Sequence, residues 1–63
     1  MFKIKEKLNV ENQRKFADEV GITPQTLCNI FAKKQNCSKV TAYSITKHFD
    51  PNKEIEDLFE RVD

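Results

Sequence analysis

Glycine occurs once in this 63-residue chain, proline twice, histidine once, cysteine twice and tryptophan not at all. So few helix breakers leave a helical period free to dominate. The two cysteines, Cys28 and Cys37, allow at most one bridge, and we read them as reduced thiols of a cytoplasmic protein. A lone His48 cannot complete a four-ligand zinc site, and no cofactor is expected. No apolar run approaches the length of a membrane span, and Met1 to Leu8 is basic without the apolar stretch of a secretion signal. Neither a paired carboxylate set nor a nucleophile–histidine set is evident, and a chain this short cannot enclose a deep pocket, so an enzyme is not expected.

What is present is one small domain, 1–63. Leu, Ile, Val and Phe together make 17 residues, enough to argue against general disorder. Charge is uneven. Residues 1–39 hold eight Lys or Arg against four Asp or Glu, while 40–63 hold three against six. A basic half with an acidic tail suggests one side turned toward an anion, although solvated helix faces give the same pattern.

Four segments carry a helical period. Over 12–20, Phe16, Ala17 and Val20 form a core stripe, and Gly21 follows where a left-handed residue ends a helix. Thr23 is a good N-cap, and Pro24 suits a first helical position because its missing N–H costs nothing there. A second helix therefore starts at Pro24, buries Leu27, Ile30 and Phe31, and stops near Ala32 or Lys33. Ser38 caps a third, which runs to about Phe49 with Ala42, Ile45 and Phe49 on one stripe. Asp50-Pro51 breaks it. A last helix over about 52–61 carries Ile55, Leu58, Phe59 and Val62. Residues 2–10 favour a short helix, with a short strand as the rival because Phe2 and Ile4 alternate. The expected fold is all-α: a compact bundle of four to five short helices with a central helix-turn-helix and, on the rival reading, a short N-terminal strand.

The informative stretch is 13–32, two short helices joined by a turn of about three residues, with small Ala17 where the helices must approach closely. Such a pair presents its second helix rigidly to a major groove. With Leu27, Ile30 and Phe31 buried, Gln25, Cys28, Asn29 and Ala32 lie on the opposite face. Gln25 and Asn29 stand one turn apart, and their amides match the donor–acceptor pair of adenine. Two exposed amides alone would mean little; the turn around them gives them weight. Arg14, Lys15, Lys33, Lys34 and Lys39 form a cationic set around this helix. Lys3, Lys5 and Lys7 either steer DNA or form a solvated face. Cys28 reads as a small exposed residue or a contact to a thymine methyl, Cys37 as packed, His48 as a surface or cap residue and Tyr43 as half-buried core.

The run Gln13-Arg14-Lys15-Phe16-Ala17-Asp18-Glu19-Val20-Gly21-Ile22-Thr23-Pro24-Gln25-Thr26-Leu27 resembles the helix-turn-helix of phage repressor and Cro-type regulators. Residues 40–47 and 54–59 resemble that family's fourth and fifth helices, in the expected order. The likeness implies a DNA-binding regulator, usually dimeric, of a phage or mobile element. By the same resemblance, Gln13 matches a phosphate-holding position at the start of the first helix of the pair. Thr23, Pro24 and Gln25 match the start of the recognition helix, with Thr26 beside them; Cys28 and Asn29 match the same face one turn on; Lys33 and Lys34 match the loop along the backbone, with Arg14 among the contacts. Two features depart from the family: only about eleven residues precede Asn12, and the usual Glu and Gly after the recognition helix are replaced by Phe31 and by Ala32-Lys33. The expected function is sequence-specific binding of double-stranded DNA, at an inverted-repeat operator, by a repressor whose recognition helix spans about 24–32. The alternative is a protein-interaction adaptor or inhibitor on the same fold, which would place apolar residues at positions 25, 28, 29 and 32. A weak homodimer through 52–63 is expected because Ile55, Leu58, Phe59 and Val62 exceed what the end of a small core needs, unless all four complete that core.

Overall fold

The computed structural model describes residues 1–62; Asp63, the last residue of the 1–63 domain and of the 52–63 segment, lies outside the described residues. Each of the three longer helices begins at a side chain that satisfies a backbone N–H the helix itself cannot. Asn12 Oδ1 accepts from Lys15 N at 3.2 Å and starts α1, Gln13–Val20. Thr23 Oγ1 accepts from Thr26 N at 3.1 Å and starts α2, Pro24–Phe31. Ser38 Oγ accepts from Thr41 N at 3.3 Å and starts α3, Lys39–Phe49. Thr23 and Ser38 are the caps expected from the sequence and Asn12 is a third; Ser, Thr and Asn are favoured there because their short oxygen-bearing chains reach back to that N–H.

The helix ends are equally local. Gly21 adopts φ 93°, and the Ala17 carbonyl accepts from both Gly21 N (2.8 Å) and Ile22 N (2.9 Å). Gly21, Ile22 and Thr23 therefore form the whole connection between α1 and α2. At the end of α2 the left-handed position falls on Lys33, at φ 66°, rather than on a glycine. Asp50 leaves α3 in an extended conformation before Pro51.

The chain ends depart from the all-α expectation. Residues Phe2–Ile4 form a strand, β1, in place of the N-terminal helix. The expected last helix shrinks to α4, Ile55–Leu58, followed by strand β2, Phe59–Arg61. β1 and β2 pair antiparallel with Phe2 opposite Arg61, Lys3 opposite Glu60 and Ile4 opposite Phe59. On its other side Phe2 exchanges backbone bonds with Cys37, at 2.7 and 2.8 Å. The fold is thus mostly helical, four helices plus a two-stranded sheet. The physical reason is non-local pairing: the backbone groups of 2–4 and 59–61 satisfy one another, and that gain outweighs a weak local helical preference in short segments.

All the elements converge on one core: Ile4, Phe16, Ala17, Leu27, Ile30, Phe31, Cys37, Ala42, Ile45, Ile55 and Phe59. Phe16 and Phe31 meet edge to face with ring centroids 5.7 Å apart. Ala17 is fully buried, as a close approach of α1 and α2 requires. Two expectations for α3 need correcting. Phe49 is 39% exposed, because it sits in the last turn at the rim of the core; Thr46 is buried instead, its hydroxyl donating to the Ala42 carbonyl at 2.8 Å. Tyr43 is 53% exposed rather than half-buried, with Lys47 Nζ 5.7 Å from its ring centre. Ile55 and Phe59 complete the core, so the surplus apolar surface expected at the C-terminus is confined to partly buried Leu58 and Val62.

Candidate nucleic-acid interface

Burial of Leu27, Ile30 and Phe31 fixes which side of α2 faces out. That outer side carries Gln25 and Cys28, both exposed, and Asn29 and Ala32, both half-buried. Thr23 and Pro24 are exposed at its start, and Thr26 is half-buried. The Thr23 hydroxyl donates to Thr26 Oγ1 at 2.8 Å while accepting from the Thr26 backbone, so the first turn is held on both sides.

Side chains of this face are wired together. Gln25 Nε2 donates to Asn29 Oδ1 at 3.1 Å, and Asn29 Nδ2 donates to Gln35 Oε1 at 3.4 Å. The pairing of Gln25 with Asn29 follows from their one-turn spacing. Gln35 was not among the residues expected from sequence, because its reach to Asn29 depends on how the loop after Ala32 folds back, which no spacing rule encodes.

The cationic set lies on the segments that flank α2 in the chain: Arg14 and Lys15 on α1, Lys33 and Lys34 in the loop after α2, and Lys39 at the first position of α3. Arg14, Lys15, Lys34 and Lys39 are exposed, and among the described residues none lies within ion-pair distance of a carboxylate. Lys33 is exposed too, but its Nζ donates to the Lys5 carbonyl at 3.2 Å. The structure therefore does not gather it with Gln25 and Asn29; it ties the loop after α2 to the N-terminal segment. A second tie, Leu8 N to the Phe31 carbonyl at 3.1 Å, acts at the same end of the helix. Gln13 begins α1 half-buried, its Nε2 donating to Asn9 Oδ1 at 3.4 Å.

The two thiols differ sharply. Cys28 is exposed on the outer face of α2. Cys37 is 6% exposed, and burial pushes its pKa from the usual 9.0 up to about 11, against the smaller downward pull of the N-terminal ammonium group. His48 contacts the Glu19 carboxylate through Nε2 and lays its ring edge-on to Phe16, 4.8 Å between centroids, so it braces α3 on α1. Among the described residues no group of three or more His, Cys, Asp or Glu can hold a metal ion, and no helix is long and apolar enough to cross a membrane.

No protein-family model, curated protein or solved structure matches the chain significantly. The case for a function therefore rests on the residues and their geometry.

Proposed function

We propose that this chain binds double-stranded DNA in a sequence-specific way and regulates transcription, as a cytoplasmic repressor of a phage or mobile element. One observation carries the reading: an amide-bearing outer face on α2, reached through a three-residue turn from α1, with exposed cations on the segments that flank it in the chain. Arg14, Lys15, Lys34 and Lys39 supply sequence-independent attraction to phosphate, with Gln13 as a further phosphate contact at the start of α1. Thr23, Pro24, Gln25, Thr26, Cys28 and Asn29 enter the major groove, where Gln25 and Asn29 address base edges. Lys34 follows the backbone from the loop after α2, while Lys33 beside it is held by the Lys5 carbonyl. The resemblance of 13–27 to phage repressor and Cro-type regulators supports the same assignment. No catalytic step and no cofactor enter this function.

One short recognition helix covers few base pairs, so two copies at an inverted repeat are needed for useful selectivity. We assign their weak contact to the 52–63 segment. Among the described residues β2 pairs with β1 on one side only, and that open edge, with half-buried Val62 beside it, supports the placement better than an apolar helix stripe. The polar character of Gln25 and Asn29 weighs against the adaptor alternative.

The test is a binding titration against duplexes selected from a random pool and against scrambled duplexes, at several salt concentrations. If about four phosphates are neutralised, log affinity falls against log salt with a slope of about −4. Gln25→Ala costs about 1–3 kcal/mol on the selected site and little on scrambled DNA, whereas Lys34→Ala weakens both alike. Equal specific-to-scrambled ratios for the two variants, or affinity that ignores salt, overturns the reading.

A further inference from the structure

A glutamine or asparagine reads adenine with two atoms of one amide, the carbonyl as acceptor and an N–H as donor. A free amide on a flexible stem must be frozen to do so, and that ordering is lost from the affinity. On α2 the ordering is already in place. Gln25 Nε2 donates to Asn29 Oδ1, and Asn29 Nδ2 donates to Gln35 Oε1. The bonds run in one direction, each amide nitrogen to the next carbonyl. Gln25 therefore spends one N–H and keeps its carbonyl and its other N–H, the complete adenine pair. Asn29 has both its atoms engaged once and is held between its neighbours. Gln35 anchors the far end, from the loop after the helix.

We infer that Gln35 is a positioning residue for base reading: through Asn29 it fixes the amide plane of Gln25, so that a loop residue outside the recognition helix sets part of the sequence preference. This rests on the DNA-binding function proposed above. What matters at position 35 is an acceptor oxygen facing Asn29 Nδ2, not a positive charge. The chemistry separates the two roles. Glutamate keeps the acceptor but adds a charge that DNA repels; lysine attracts phosphate but offers Asn29 nothing to donate to; alanine offers neither.

The experiment uses the full chain and has two arms. In the free protein, nitrogen-15 spectra of the side-chain amides are compared between wild type and Gln35→Ala. The Asn29 Nδ2 resonance is expected to shift and its mobility to rise; an unmoved resonance overturns the relay whatever the protein binds. In the second arm, wild type is selected on a random pool of duplexes of about 20–25 base pairs, room for two half-sites one turn apart. The affinity of each variant is then measured for the selected and for a scrambled duplex. Gln35→Ala and Gln35→Lys are expected to lose about three- to tenfold of the specific-to-scrambled ratio, the cost of leaving one rotamer-rich side chain to be ordered on binding. Gln35→Glu is expected to retain the ratio while binding both duplexes more weakly. If Gln35→Lys retains the ratio, position 35 is only a phosphate contact and the inference falls, while the DNA-binding reading stands. If wild type selects no sequence, the DNA-binding reading falls and takes the base-reading role with it. Position 35 is exposed, so matched melting temperatures among the variants are expected and separate a folding defect from a change of preference.

Discussion

Helices α2 and α3 pack into the same core and differ in their charges: α2 carries none, the cations next to it in sequence lying on α1, in the following loop and at the start of α3, whereas α3 carries its own. On α3, the basic residues of the last turn, Lys47 and His48, are used internally. Lys47 donates to the carbonyls of Lys53 (2.8 Å) and Pro51 (3.5 Å) and meets Glu54 at 3.6 Å, while His48 meets Glu19. Its exposed residues also include Val40 and Tyr43. On the segments flanking α2, Arg14, Lys15, Lys34 and, at the first position of α3, Lys39 are left free of carboxylates among the described residues, and the outer face of α2 is amide and thiol. The lesson is that charge count alone says little. A lysine already occupied by its own fold contributes to holding the last turn, and one left free is available to an anionic partner.

The comparison breaks first where both helices share support. Cys37 lies in the connection between α2 and α3 and bonds through its backbone to Phe2. Because its folded pKa is raised to about 11 from 9.0, the stability linked to the neutral thiol is complete below about pH 9 and is lost as pH rises through about 11. The full loss is at most about 2–3 kcal/mol. Urea denaturation at pH 8 and above pH 10 checks this, with Cys37→Ala expected to lack that part of the pH dependence. Native-state alkylation sharpens the same contrast: Cys28 is expected to react at once and Cys37 only on unfolding.

A second test neutralises, in turn, cations on the segments flanking α2 and a cation of α3. Neutralising Arg14 and Lys34 together, each to Gln, is expected to reduce the salt slope of DNA binding by about 2. Lys47→Gln is expected to leave that slope unchanged and to cost about 0–1 kcal/mol of stability, since its partner Glu54 is largely in solvent. Equal slopes for the two variants would erase the distinction drawn between occupied and free cations.

The smallest effect concerns Lys33, whose left-handed backbone is paid for by every side chain except glycine. Lys33→Gly is expected to raise stability by about 0.5–1 kcal/mol, net of the lost bond to the Lys5 carbonyl. A melting curve checks the gain. A fall in melting temperature would mean that the tie to Lys5 outweighs the backbone strain.

Much of the candidate site was legible because it is local. Thr23 and Pro24 announce the start of α2, Gly21 the end of α1, and Leu27, Ile30 and Phe31 assign the outer face by elimination. Thr46 and Phe49 mark where that logic weakens: a stripe spaced three and four apart cannot tell which neighbour lies at the rim of a small core. Gln35 and the Lys33–Lys5 tie were beyond it, since each joins a loop to an element that lies apart from it in the chain.

The sequence by itself determined α1, α2 and α3 with their caps, because helical hydrogen bonds and capping contacts join residues at most a few positions apart. It also determined the identity of the outward amides, since burying one stripe of a helix leaves the opposite stripe no choice. Only the tertiary structure decided that the two chain ends are strands. Phe2–Ile4 and Phe59–Arg61 are too short to hold either conformation alone, and each becomes a strand because the other supplies the missing backbone partners, with Ile4 and Phe59 closing the core.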